Sequence, residues 1–192
     1  MDVGRLAARA VIGGLFIGHG TQKLFGWFDG PGIPGTEGMM TALGMHPTKP
    51  NAYAAALTET VGGAMLVAGA ATPLAASALT GTMITAIRKV HLANGPWAAK
   101  GGWEYNAVLI AAVLALTDSG PGVISLDNAL GLRLTGSRWA LAALALGAAA
   151  STAAIASGQK QAPAVTAAPA GAGSEVAAAT GETAGDPVTT TE

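Results

Sequence analysis

Between Leu6 and Thr117 the chain returns repeatedly to apolar, sparsely charged stretches close to bilayer-crossing length, and this recurrence constrains the fold more than any motif. A helical crossing takes about 20 residues. Such stretches run from Leu6 to about Trp27, from about Ala52 to Ala71, from about Leu74 to Leu92 and, more briefly, from about Tyr105 to Thr117. In lipid each backbone N–H and C=O must be satisfied internally, which favours helices. The expected fold is therefore all-α, a transmembrane four-helix bundle. Charge supports it: 11% of residues are charged, against about 25% in soluble domains.

The same composition excludes several functions. A net charge of −1 gives no basic surplus for nucleic acid. The absence of cysteine excludes disulfides, thiolate metal sites, iron–sulfur clusters and a cysteine nucleophile. Arg5 and Arg9 precede the first apolar stretch like the start of a signal peptide. No small-residue cleavage site follows, so a retained span is expected.

The connections divide the chain further. Thr72-Pro73 is expected to turn the second span into the third, as an antiparallel hairpin. Met39 to Leu43 is a small amphipathic piece for the interface, and a short interfacial helix is expected after Asp118. Trp27, Trp97 and Trp103 fall at span ends, where aromatic rings meet headgroups. Residues 1–130 then form the four-helix domain, and residues 131–156 a linker and a candidate fifth span, Trp139 to Ala156. Residues 157–192 form an Ala/Pro/Thr-rich tail expected to be disordered. Arg5, Arg9, Arg133 and Arg138 favour a cytoplasmic N-terminus, while Arg88, Lys89 and Lys100 then lie outside, against the rule.

The chemistry-bearing residues gather at span ends. His19, Gln22 and Lys23 share a helical face at i, i+3 and i+4. Gly14 and Gly18 form a G-x-x-x-G through which a neighbouring helix can approach. Glu59 lies inside the second span, with Gly62 and Gly63 beside it. A charge at mid-span costs about 2.5–3.5 kcal/mol on insertion scales, so Glu59 is either neutral or paired with Lys23 or Arg88. Arg88 and His91 share a face at i, i+3, and Glu104 opens the fourth span. Antiparallel succession brings all of these toward one leaflet, as a polar pocket or a structural ion-pair network. His19, Glu59, His91 and Glu104 are metal-competent by type, but no pair has i, i+4 ligand spacing. Neither a metal nor a haem site is expected.

Four stretches, in order, resemble the DoxX family of small integral membrane proteins. They are Arg9 with GLFIGHGTQKLFG (14–26), LGMHPTKPNAYAAALTETVGG (43–63), HLANGPWAAKGGWEYNAVL (91–109) and GPGVISLD (120–127). The resemblance implies a four-helix membrane bundle and an association with redox chemistry. Some relatives are subunits of thiosulfate:quinone oxidoreductase, and mycobacterial members join complexes with a superoxide dismutase and a sulfurtransferase. A quinone-like or sulfur-compound substrate follows as the expectation, with Glu59, His91 and Glu104 as catalytic candidates. His19, Gln22, Lys23 and Arg88 are then the substrate-binding candidates. A non-catalytic anchor for soluble oxidoreductases and a small transporter are the alternatives. The candidate fifth span and the tail lie outside the resemblance.

Overall fold

The computed structural model describes residues 3–162. They fold into helices α1 (Val3–Phe25), α2 (Gly32–Ala42), α3 (Thr48–Ala68), α4 (Thr72–Ala86), α5 (Glu104–Ser119), α6 (Leu126–Ala129) and α7 (Ser137–Lys160), with no strand among the described residues. The fold is all-α. α1 packs on α3, α3 on α4, and α4 on both α5 and α7. The core where these helices meet holds Phe16, Leu66, Leu79, Val113 and Ala143.

Two ends follow from the antiparallel succession. One carries Arg9, the α3–α4 turn, α6 and the start of α7; the other carries Lys23, α2 and the last turns of α4 and α7. They are called the Arg9 end and the Lys23 end below.

Small residues set the helix spacing. A Cβ on Gly13 would sit 2.6 Å from Gly63 O, and one on Gly20 would sit 2.6 Å from Thr60 N. Gly13 and Gly20 are therefore where α3 presses on α1. Gly14 and Gly18 have nothing within 4 Å, so the expected G-x-x-x-G contact is displaced by one position onto the next face. Gly62 faces Leu79 on α4 and Gly63 faces α1, so both of Glu59's glycine neighbours lie under a packed helix. On α7 the buried residues Ala143, Gly147, Ser151, Ile155 and Gly158 form one seam. Gly147 meets Ser77 and Gly81, and Thr85 Oγ1 donates to Ser151 Oγ at 2.9 Å. Close small-residue approach with interhelical hydroxyl bonds is how helices associate where lipid supplies no hydrophobic drive.

Several boundaries differ from expectation for physical reasons. The α3–α4 turn is Gly69 to Ala71, with left-handed Gly69 (φ 63°) and Ala71 (φ 42°), and Thr72-Pro73 already starts α4. Proline fits that first turn because its missing N–H has no partner there. The interfacial piece is the whole of α2 rather than Met39 to Leu43 alone. The third span is not one α-helix. α4 ends at Ala86 and continues as a π turn, Ile87–His91, then a 3₁₀ turn, Leu92–Asn94. Helix α7 runs through Ser157–Lys160, residues assigned above to the tail, because Gly158 packs on Met45 and Ile155 joins Met40, Met45 and Ala52. The rest of the expected tail, residues 163–192, lies outside the described residues.

Among the described residues one helix, α7, is both long and apolar enough to cross a membrane by length and composition. The segment held above as a candidate thus passes, while α1 and α3 carry Arg9, Lys23 and Glu59, and α4 and α5 have only 15 and 16 regular residues. Only 22% of the apolar window of α7 is buried inside the chain, unlike the core helix of a soluble domain.

Candidate functional site

Each end holds a buried charge, and the two are satisfied differently. At the Arg9 end the guanidinium, 2% exposed, donates to four main-chain carbonyls. Nε reaches Leu66 O at 3.0 Å and a terminal nitrogen reaches Val67 O at 2.5 Å. The other terminal nitrogen reaches Pro121 O at 2.5 Å and Ile124 O at 2.7 Å. Leu66 and Val67 are in the last turn of α3, whose carbonyls lack i to i+4 partners and carry the negative end of the dipole, although Leu66 O also accepts from Gly69 N at 3.1 Å. Arg9 caps that end from another helix and ties the 121–124 loop to it.

Asp127 does the opposite for α4. Its Oδ1 accepts from Ala71 N at 2.7 Å, and its Oδ2 from Thr72 N at 3.0 Å and Thr72 Oγ1 at 2.8 Å. No residue next to α4 supplies a side-chain cap. A carboxylate 55 residues away therefore satisfies the orphan N–H groups, where the helix dipole favours negative charge. Asp127 N in turn donates to Gly69 O at 2.9 Å, closing the junction. From the sequence Arg9 counts as an orientation charge and part of a motif, Asp127 only as part of a motif, and neither is placed at a helix end. Side-chain spacing could not have revealed them, because their partners are distant backbone atoms.

At the Lys23 end the pairing is side chain to side chain. Glu59 is 4% exposed and accepts a hydrogen bond from Lys23 Nζ through Oε2. Of the alternatives open for Glu59, the structure has the Lys23 pair. Gly20, one turn before Lys23, lets α1 approach closely enough to make it. Lys23 Nζ also lies 3.4 Å from His19 O. His19 Nδ1 meets Gln22 Oε1 at 3.2 Å, and Gln22 Nε2 donates to Phe28 O at 3.4 Å. Gln22 Oε1 can only accept, so in this contact His19 Nδ1 is the donor. His19 is exposed.

The remaining candidates share this end but make other contacts. Arg88 is exposed, and a guanidinium nitrogen donates to Thr152 Oγ1 of α7 at 3.1 Å rather than to Glu59. His91 Nδ1 donates to Gly101 O at 2.7 Å, beside Asn94 Nδ2 on the same oxygen at 3.2 Å. A π turn closes i to i+5 instead of i to i+4. The i, i+3 spacing of Arg88 and His91 therefore no longer puts them side by side. Glu104 is partly buried in the first turn of α5, with a main-chain bond from its N–H to Pro96 O at 2.9 Å. The structure thus gathers His19, Gln22, Lys23 and Glu59, and sets Arg88, His91 and Glu104 on the neighbouring loop and helices. Among the described residues no group of three or more His, Asp and Glu side chains converges as a metal-ligand set. Nor did sequence reasoning single out Asn106, buried on α5, whose amide donates to Met83 Sδ at 3.4 Å.

An apolar cleft of about 340 Å³ between α5 and α7 lies at the Arg9 end, bordered by Leu114, Asp118, Ser137 and Leu141, away from these residues.

Comparison with curated proteins gives no match, and neither does comparison with solved structures. The family comparison does, over a region that includes Arg9, Lys23, Glu59, Arg88 and His91, while Asp127 and α7 lie beyond it. The DoxX family model matches residues 4–92, so this part of the chain is similar to that family of membrane proteins, and at least one helix, α7, is long and apolar enough to cross a bilayer.

Proposed function

We propose that the chain is a multi-pass membrane bundle of four or five spans that supports redox chemistry, with a quinone-like or sulfur-compound substrate handled at the Lys23–Glu59 pair. The single observation that carries this is a carboxylate buried midway along α3 and held by one lysine, with the His19 imidazole on the same face of α1 as that lysine. Ionisable residues inside a membrane segment are expensive and mark ligand or proton pathways. Large apolar side chains exposed on several helices, among them Val11, Leu57, Val61, Val108 and Leu141, favour a lipid-facing surface all round.

Each residue then has a task. Lys23 donates a hydrogen bond to a substrate oxygen in place of Glu59. Glu59 and His19 pass protons, carboxylate and imidazole being side chains that can both take one up and give one away. Reduction of a quinone to a quinol takes up electrons and protons in equal number. The electrons come from the sulfur compound or a soluble partner, and the protons travel through these side chains. Arg88, His91 and Glu104 border the same end and complete the polar surroundings. Superoxide dismutase- and sulfurtransferase-type proteins are the proposed soluble partners.

Replacing Glu59 by Gln keeps shape and an acceptor for Lys23 while removing the titrating group. In purified, lipid-reconstituted protein the expected result is loss of quinone-linked turnover with an unchanged helical spectrum. Turnover equal to that of the unmodified chain would remove Glu59 from the chemistry. The mutual satisfaction of Lys23 and Glu59 favours a second reading, a scaffold whose pair only joins α1 to α3. That reading expects Glu59→Gln to leave both quinone response and co-purifying oxidoreductases unchanged.

A further inference from the structure

The orientation of the bundle follows from how the cations divide between its two ends and which of them the fold sequesters; this step rests on the multi-pass reading above. Arginine positions alone favour a cytoplasmic N-terminus, but Arg9 is sequestered by four carbonyls within the fold. It cannot act as a loop charge. Arg5, Arg133 and Arg138 also lie at that end. At the opposite end Lys23 is engaged by Glu59, yet Lys49, Arg88, Lys89, Lys100 and Lys160 stand beyond it. None of those five makes an ion pair among the described residues.

Aromatic side chains crowd the same end. Trp27, Phe28 and Trp97 are 56%, 72% and 63% exposed. Phe28 and Asp29 are both left-handed, at φ 54° and 58°. Two consecutive non-glycine residues in that region cost energy and persist only when the surroundings hold them. Here Gly30 N donates to Trp27 O at 3.0 Å and Gln22 Nε2 reaches Phe28 O. Gly30 itself lies so close to Gln22 that a Cβ would come within 2.6 Å of its Cα. The loop is folded back on α1 with its rings turned outward. Amphipathic rings settle at headgroup depth, and lysines and arginines accumulate on the cytoplasmic side beside anionic lipid. The acids at this end, Asp29, Glu37 and Glu104, contribute little to that preference.

We infer that the Lys23 end is an anionic-phospholipid-binding face seated in the cytoplasmic leaflet, which places the N-terminus on the outer side. The Lys23–Glu59 pair is then approached from the cytoplasm.

The chain has no cysteine, so single reporters need no background removal. Ala99→Cys marks the Lys23 end and Leu130→Cys the Arg9 end, both at exposed positions. With a membrane-impermeant maleimide on intact cells, Leu130→Cys is expected to label and Ala99→Cys only after permeabilisation. The reverse pattern overturns the orientation and leaves the multi-pass reading standing. Labelling of both from one side overturns the multi-pass reading, and the inference with it. The triple variant Lys49→Gln, Lys89→Gln, Lys100→Gln, scored with the same reporters, is expected to turn a measurable share of molecules over. An unchanged pattern overturns the role of these charges. In detergent, phosphatidylglycerol is expected to raise the melting temperature of the unmodified protein more than phosphatidylcholine does, with a smaller difference in the triple variant. Equal effects of the two lipids on the unmodified protein overturn the lipid assignment.

Discussion

The two ends of the bundle each bury a charge, and they dispose of it in opposite ways. At one end Arg9 spends its donors on four main-chain carbonyls, and Asp127 uses both oxygens on the first turn of α4. At the other, Lys23 and Glu59 hold mainly one another, and the exposed His19 meets Gln22 with its ring. A side chain saturated by backbone cannot let go without opening a helix end. A side chain held by one other side chain can exchange it for a ligand. The difference separates a junction from a candidate site.

That contrast orders the expected effects of substitution. Arg9→Ala is expected to be the most damaging, by about 3–5 kcal/mol, because it leaves buried carbonyls without donors. Denaturant unfolding in detergent measures it, and a loss below about 1 kcal/mol would erase the distinction between the ends. Arg9→Lys should recover only part, since an ammonium lacks the planar fork that spans several acceptors. Asp127→Ala comes next, at about 2 kcal/mol, the upper range for losing a helix N-cap. Asp127→Asn sharpens the test, because it keeps one acceptor and loses the charge facing the dipole.

Glu59→Gln should cost less in stability, about 1 kcal/mol, since the amide oxygen still accepts from a lysine that reaches the bundle edge. Its effect on turnover should nonetheless be the largest of the set. A stability loss equal to that of Arg9→Ala would make the Lys23 end a second junction. The smallest effect belongs to His19→Gln, below about 0.5 kcal/mol as for other exposed positions. The proposal still requires a slower quinone-linked rate in that variant, with the melting temperature unchanged.

Much of this architecture was legible in the chain itself. Apolar run lengths located α1, α3, α4, α5 and α7 to within a few residues, because burial and helix period act locally. That Glu59 needs a partner or a lost charge was legible too, since it is a lone carboxylate among apolar residues; the choice of Lys23 over Arg88 came only with the structure. Two things were not. The saturation of Arg9 depends on carbonyls contributed by distant turns, and every residue has the same carbonyl, so no residue type announces it. The separation of Arg88 from His91 depends on a π turn, a local change of winding that helical spacing assumes away. Gly14 and Gly18 misled for a related reason. A one-residue rotation selected Gly13 and Gly20 as the contact face.

The seam on α7 has a consequence for the family region. Residues 4–92 include Ser77, Gly81 and Thr85, the surface on which Gly147 and Ser151 rest. Cut before Ser137, the chain would present those small and hydroxylated positions as an open notch, ready to recruit a helix from another molecule. By carrying its own occupant for that notch, this protein fixes in cis a neighbour that a chain cut before Ser137 would have to find by encounter.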